Sequence, residues 1–256
     1  MNLTRRDTLT LAAAATLAGA AGLPTLALAK DGDVIDQLKL LAPMAVPDRV
    51  EGDAAAKVTV IEYLSPTCPH CARVAINVIP AFKDKYVKTG KVKFIPRPFA
   101  RNTLDVAIFM IAEAASQATD KGAAPAATDA SSSSAPADTS SSAPAATGPA
   151  PGYSEAAIAT WENVIDTFFK TQETWAVSDK PLDALKAVAF QLGFSEDSFM
   201  AALKDNDYFA KIQTMQQQAV NDFGLAGTPT FYINGKTISG EKTLDELSTE
   251  IDPLVG

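Results

Sequence analysis

Hydrophobic positions along the chain fall into two regimes. Val58-Thr59-Val60-Ile61-Glu62-Tyr63-Leu64 is a near-continuous apolar run rich in β-branched side chains, the pattern of a strand buried on both faces. From Cys71 the apolar residues recur at helical spacing, at Val74, Ala75, Val78, Ile79, Phe82 and Tyr86, and the stripe ends near Gly90. Pro80 lies inside this stripe and predicts a kink or a split. A second strand is expected over Lys91 to Ile95, closed by Pro96 and Pro98. A strand, helix, strand unit of this length implies a right-handed parallel crossover.

Helical patterns follow at Leu104 to Ala115, at Glu155 to Lys170 behind Ser154, at Leu182 to Leu192 behind Pro181, and at Glu196 to Leu203 behind Ser195. A longer helix from Asp207 to Phe223 presents Tyr208, Ile212, Met215, Ala219 and Phe223 on one face, with Gly224 past its end. After the turn Gly227-Thr228-Pro229, the runs Thr230 to Ile233 and Lys236 to Ser239 flank Asn234-Gly235, a strong hairpin signal, and a last helix spans Leu244 to Ile251. Between the helices, Ser116 to Gly152 holds almost only Ala, Ser, Thr, Pro and Gly, with no aromatic or branched aliphatic residue. Such a segment has nothing to bury and is expected to be a disordered loop. The order of elements is that of an α/β protein with a thioredoxin fold and an inserted helical domain that carries this loop. The expected boundaries are 30–56 for an N-terminal lead-in, 57–100 and 204–256 for the two parts of the fold, and 101–203 for the insertion.

Residues 1–29 read as a signal peptide: Arg5 and Arg6, then an uncharged run from Thr8 to Ala29 ending in Ala27-Leu28-Ala29, with cleavage expected after Ala29. Gly19, Gly22 and Pro24 make it a poor spanning helix, although an uncleaved anchor is the alternative. Thr4-Arg5-Arg6-Asp7 resembles a twin-arginine signal, with Thr8 where that signal carries a bulkier apolar residue, so the twin-arginine and general secretory routes both fit. The mature chain is expected to be exported, periplasmic and free of stable membrane insertion. Loss of Arg5, Arg6 and Asp7 takes the net charge from −8 to −9, which argues against nucleic acid and anionic membrane surfaces as partners.

The chain holds only two cysteines, in Cys68-Pro69-His70-Cys71, too few and too close for a disulfide framework. At a strand-to-helix junction the first sulfur meets unpaired amides and the helix dipole, so Cys68 is expected to be acidic and exposed, and Cys71 buried. Pro69 fixes the turn, and His70, the only histidine, would add a positive charge or a hydrogen bond to a Cys68 thiolate. A stabilised thiolate makes the disulfide a strong oxidant. Haem attachment is excluded by Ala72, which stands where that motif needs histidine, and a closed zinc site lacks ligands. A copper(I) or dimer-bridging metal site and a merely structural disulfide remain as alternatives. Glu62, six residues before Cys68 within the apolar run, is expected to be desolvated and to exchange a proton with Cys71; the alternative is a surface-facing acid on an edge strand. Thr228-Pro229 suits a cis bond in a tight turn facing Cys68, with the Thr228 backbone free to pair with an extended substrate.

Val60 to Leu64 with Cys68-Pro69-His70-Cys71, and Gly227-Thr228-Pro229-Thr230 with Asn234-Gly235-Lys236, resemble the DsbA-like thiol-disulfide oxidoreductases of bacterial envelopes. The resemblance covers roughly 46–115 and 155–256. It implies that Cys68 forms mixed disulfides with reduced exported proteins and Cys71 resolves them, that Glu62 is the buried acid and Pro229 the cis-proline. It implies no cofactor or metal beyond a Cys68–Cys71 disulfide, reoxidation by a membrane quinone-linked oxidase, and a monomer, since no dimerisation domain is evident. The low-complexity insert departs from the family, and threonine before the proline also occurs in isomerase relatives, so a reductase or isomerase is the same-fold alternative. A metal-binding or holdase module is the alternative of another class.

Overall fold

In the computed structural model, which describes residues 28–122 and 152–256, the apolar run is β1 (Val58–Leu64), with all seven side chains buried. β1 is central: β2 (Val92–Pro98) pairs with it in parallel on one side, β3 (Thr230–Ile233) antiparallel on the other, and β4 (Lys236–Ser239) lies outside β3. Two neighbours and two covered faces remove the alternation that a half-exposed strand would show. β2 runs three residues beyond the expected stop, through both prolines. Pro96 and Pro98 share the parity of Phe94, whose amide points away from β1 to the Glu51 carbonyl at 3.0 Å, so on this edge strand they remove no bond to β1.

Ten helices accompany the sheet among the described residues: α1 (Gln37–Leu40), α2 (Pro69–Asn77), α3 (Ile79–Phe82), α4 (Thr103–Asp120), α5 (Glu155–Lys170), α6 (Gln172–Trp175), α7 (Pro181–Gln191), α8 (Glu196–Ala202), α9 (Asn206–Phe223) and α10 (Leu244–Val255). The split expected at Pro80 separates α2 from α3, and a π-helical turn, Lys83–Val87, follows. One face of the sheet, with Val58, Val60, Phe94 and Phe231, packs on Val74, Phe82, Leu247 and Ile251 of α2, α3 and α10. The other, with Ile61, Tyr63 and Tyr232, packs on Leu40, Ala219 and Phe223. A third cluster fills the insertion around Phe109, Trp161, Phe168 and Phe199, and includes both cysteines. The cysteine pair therefore sits where the sheet meets the inserted helices.

α4 is a correction to the loop expected from Ser116: the helix continues to Asp120. Its last turns use small polar groups in place of apolar ones. The buried Ser116 hydroxyl donates to the Ala157 carbonyl at 2.9 Å, Thr119 meets Thr160 of α5 at 3.0 Å, and Asp120 accepts from the Ser154 amide and hydroxyl. The rest of the expected loop, 123–151, and the leader, 1–27, lie outside the described residues.

Both sheet edges are covered. Residues 31–35 run antiparallel along β4, with the Ile35 amide donating to the Gly235 carbonyl and the Thr237 amide to the Asp33 carbonyl, at 2.8 and 2.7 Å. The hairpin turn has Asn234 and Gly235 at φ 46° and 91°, and a Cβ at Gly235 would lie 2.3 Å from the Ile35 carbonyl, so only glycine admits the covering strand. Glu51 pairs with Phe94 on the β2 edge. Among the described residues no helix is long and apolar enough to cross a membrane.

Candidate active site

Cys68 caps the N-terminus of α2, and Pro69, exposed, is the first helical residue. The loop before it is held by the insertion. Asp105 near the start of α4 accepts from the Ser65 hydroxyl at 2.8 Å and from the Thr67 and Arg101 amides at 2.7 and 2.8 Å, and Gln172 donates to the Pro66 carbonyl at 2.6 Å. On the opposite side the Thr228-Pro229 peptide bond is cis, and the Cys68 thiol donates to the Thr228 carbonyl at 3.2 Å.

Both cysteines are free thiols with very different acidities. The Cys71 thiol, donating to the Cys68 sulfur, does most to bring the Cys68 pKa from its ordinary 9 to about 5. Burial opposes this, and the Cys71 and His70 amides assist it. The Thr228 hydroxyl is buried with no hydrogen-bond partner, free to serve a thiolate. Burial first, then the bond to Cys68 and the charges on Cys68 and Glu62, push Cys71 well above 9. Cys68 corrects the expectation of exposure: it is 2% exposed, bonded to the turn at Thr228 and counted in the apolar cluster that fills the insertion.

Glu62 lies on the central strand, paired beside Pro96 and Phe231 and 3% exposed, so the edge-strand alternative fails. Desolvation raises its pKa to about 8, against the pull of Lys83 and with help from Asp166. Lys83 is a weak counterion because it is already held between Glu51, at 2.8 Å, and Glu162. Between Glu62, Lys83 and Asp166 lies a cavity of about 30 Å³, room for one water.

His70 does not take the place expected for it. Its Nδ1 lies 2.8 Å from the Glu241 carboxylate and 2.7 Å from Arg73 Nη2, and what reaches Cys68 is its backbone amide.

The thioredoxin family model matches residues 45–159 and 137–253 of this chain. The chain belongs to the thioredoxin family. Among its relatives are proteins provisionally named protein-disulfide oxidoreductase from Rickettsia felis, 26% identical over 80% of this chain and 59% of the relative, and from Rickettsia conorii, 27% identical over the same shares. The chain thus spans about three fifths of the length of these curated relatives. Its fold is shared with Wolbachia pipientis α-DsbA1, at 23% identity over 87% of this chain and 96% of that one with a TM-score of 0.65. Oxidised BdbD from Bacillus subtilis follows, at 16% identity over 90% and 99% with a TM-score of 0.57.

In this thioredoxin-family chain the structure brings together Cys68, Pro69, Cys71, Thr228 and Pro229, with Glu62 within electrostatic range of Cys71. The sequence reading missed Asp105, Arg73, Glu241 and the Lys83 cluster. Arg73 carried a signal, since three residues after His70 on one helix it must be its neighbour. Asp105 and Glu241 carried none, because each reaches the site from a distant element.

Proposed function

We propose that the chain is an exported thiol-disulfide oxidoreductase that passes the Cys68–Cys71 disulfide to reduced exported proteins. The observation that carries the reading is the split of two adjacent thiols, one near 5 and one well above 9. A client thiolate attacks Cys68 of the disulfide, forming a mixed disulfide and releasing Cys71 as a thiolate. Cys71 is basic enough to take a proton, and Glu62, titrating near 8, is suited to hand it over. A second client thiolate then attacks the client sulfur and expels Cys68, the better leaving group because its thiolate is stabilised. Two electrons pass from client to protein, and the client leaves with a disulfide. The backbone beside the cis bond offers an extended client a pairing edge. Reoxidation by a membrane quinone-linked oxidase, action as a monomer and periplasmic location by the leader complete the proposal.

The test is the equilibrium of residues 30–256 with glutathione buffers. A potential near about −120 mV is expected, and one near about −270 mV would establish the reductase alternative. Alkylation of Cys68 should titrate with a midpoint near pH 5.

A further inference from the structure

Arg73, His70 and Glu241 form a charged cluster at the rim of the Cys68 site that the exchange steps above do not use. Arg73 Nε lies 2.9 and 3.0 Å from the two Glu241 carboxylate oxygens, and its Nη2 is 2.6 Å from Oε2. His70 Nδ1 shares the same corner, at 2.8 Å from Oε2 and 2.7 Å from Arg73 Nη2. One ring nitrogen therefore faces both partners: it accepts from Arg73 when bare and donates to Glu241 when protonated. In either state Nδ1 is occupied. Glu241 cannot drift far, because the adjacent Gly240 amide donates to the Pro229 carbonyl at 2.9 Å, tying its loop to the turn against which Cys68 rests. Lys242, the next residue, leans the other way, toward Asp31 at 4.0 Å.

We propose that Glu241 is a positioning residue for the redox pair, a rim clamp that draws the Arg73 guanidinium and the His70 ring away from the Cys68 sulfur and so tempers the oxidising strength of the disulfide. The proposal rests on the thiol-disulfide reading above and adds a residue that sets its strength. Arg73 is within electrostatic reach of a Cys68 thiolate, each charge favouring the other. Glu241 is bound to that same guanidinium and is held as a carboxylate by Arg73 first and His70 second, with its pKa lowered to about 2. It is therefore anionic wherever Cys68 is, and its removal frees Arg73 to turn toward the sulfur.

The experiment compares wild type, Glu241→Gln and Glu241→Lys in the glutathione equilibrium, with thermal melting as a check of folding. For the reaction of protein disulfide with two glutathiones, Glu241→Gln should raise the equilibrium constant about two- to fivefold, as expected of a half-exposed charge pair. Glu241→Lys should raise it further, and both shifts should shrink in about 1 M salt. Arg73→Gln should lower the constant, and in an Arg73→Gln, His70→Ala background Glu241→Gln should lose most of its effect. An unchanged constant in Glu241→Gln overturns the clamp, and so does an effect undiminished in that background, which would be direct repulsion of the thiolate. Failure of wild type to exchange with glutathione is a different result, because it removes the oxidoreductase reading itself.

Discussion

At the scale of single residues, the consequential choice is an acid on a strand with no room for one. Glu62 holds its proton to about pH 8 in the folded chain, whereas an unstructured one releases it near 4.5. A group whose pKa is raised by folding contributes its stability below the unfolded value and loses it as pH rises through the folded value. The loss therefore runs from about 4.5 to about 8. Glu62→Gln should accordingly match wild type in urea unfolding at pH 4.5 and exceed it by on the order of 2–3 kcal/mol at pH 7, while slowing exchange at Cys71. Equal stabilities across that range would show that Glu62 is charged at little penalty. The placing of Glu62 on a buried strand and of Cys68 and Cys71 at the start of the next helix was legible because it depends on spacing and on a strand context that one stretch of chain contains. The placing of His70 was not, since its ring turns to a carboxylate 171 residues away. Nor was the shielding of Cys68, which comes from a turn that only the closed fold brings near.

At the scale of elements, most boundaries follow from short-range rules. Ser154, Ser195 and Thr243 each accept from an amide in the first turn they cap, and Gly224 ends α9 in the left-handed region. The apolar face read for α9 is the buried one. α6 was not foreseen: four residues are too few to show a period. What joins the elements is also hidden from local patterns. Arg49, in the lead-in before β1, is 1% exposed, stacked on Tyr153 and Trp161 and paired with Glu113 of α4. Glu113 also accepts from the Tyr153 hydroxyl and from Gln117. Glu113→Gln would leave a buried guanidinium without its counter-charge, and the loss in urea stability should be about 3–5 kcal/mol. Replacing the pair together, Arg49→Met with Glu113→Leu, should lose much less. A single variant as mild as the double would mean that water enters to solvate Arg49.

At the scale of the whole molecule, the order of strands and helices was readable because each strand, crossover and hairpin announces itself locally and handedness limits how they join. How the chain wraps its own sheet was not, since residues 31–35 show no strand pattern of their own. The chain is closed on either side of the segment between α4 and α5: Asp120 and Ser154 are bonded to each other, and α4 packs along α5. Loop length enters closure only logarithmically. Replacing 123–151 with a short turn should therefore leave the melting temperature within a few degrees and the glutathione equilibrium unchanged, whereas a large fall in melting temperature would mean that the segment carries structure. The covered sheet edges have a bearing on traffic. A free strand edge is a template for pairing with an unfolded chain, a hazard for a protein with the function proposed above. Residues 31–35 line β4 and Glu51 bridges to β2 at Phe94, so both outer strands already carry a backbone partner from the chain itself. On the function proposed above, a client would dock where its sulfur can react, and the lined edges would offer it little else on the sheet to hold.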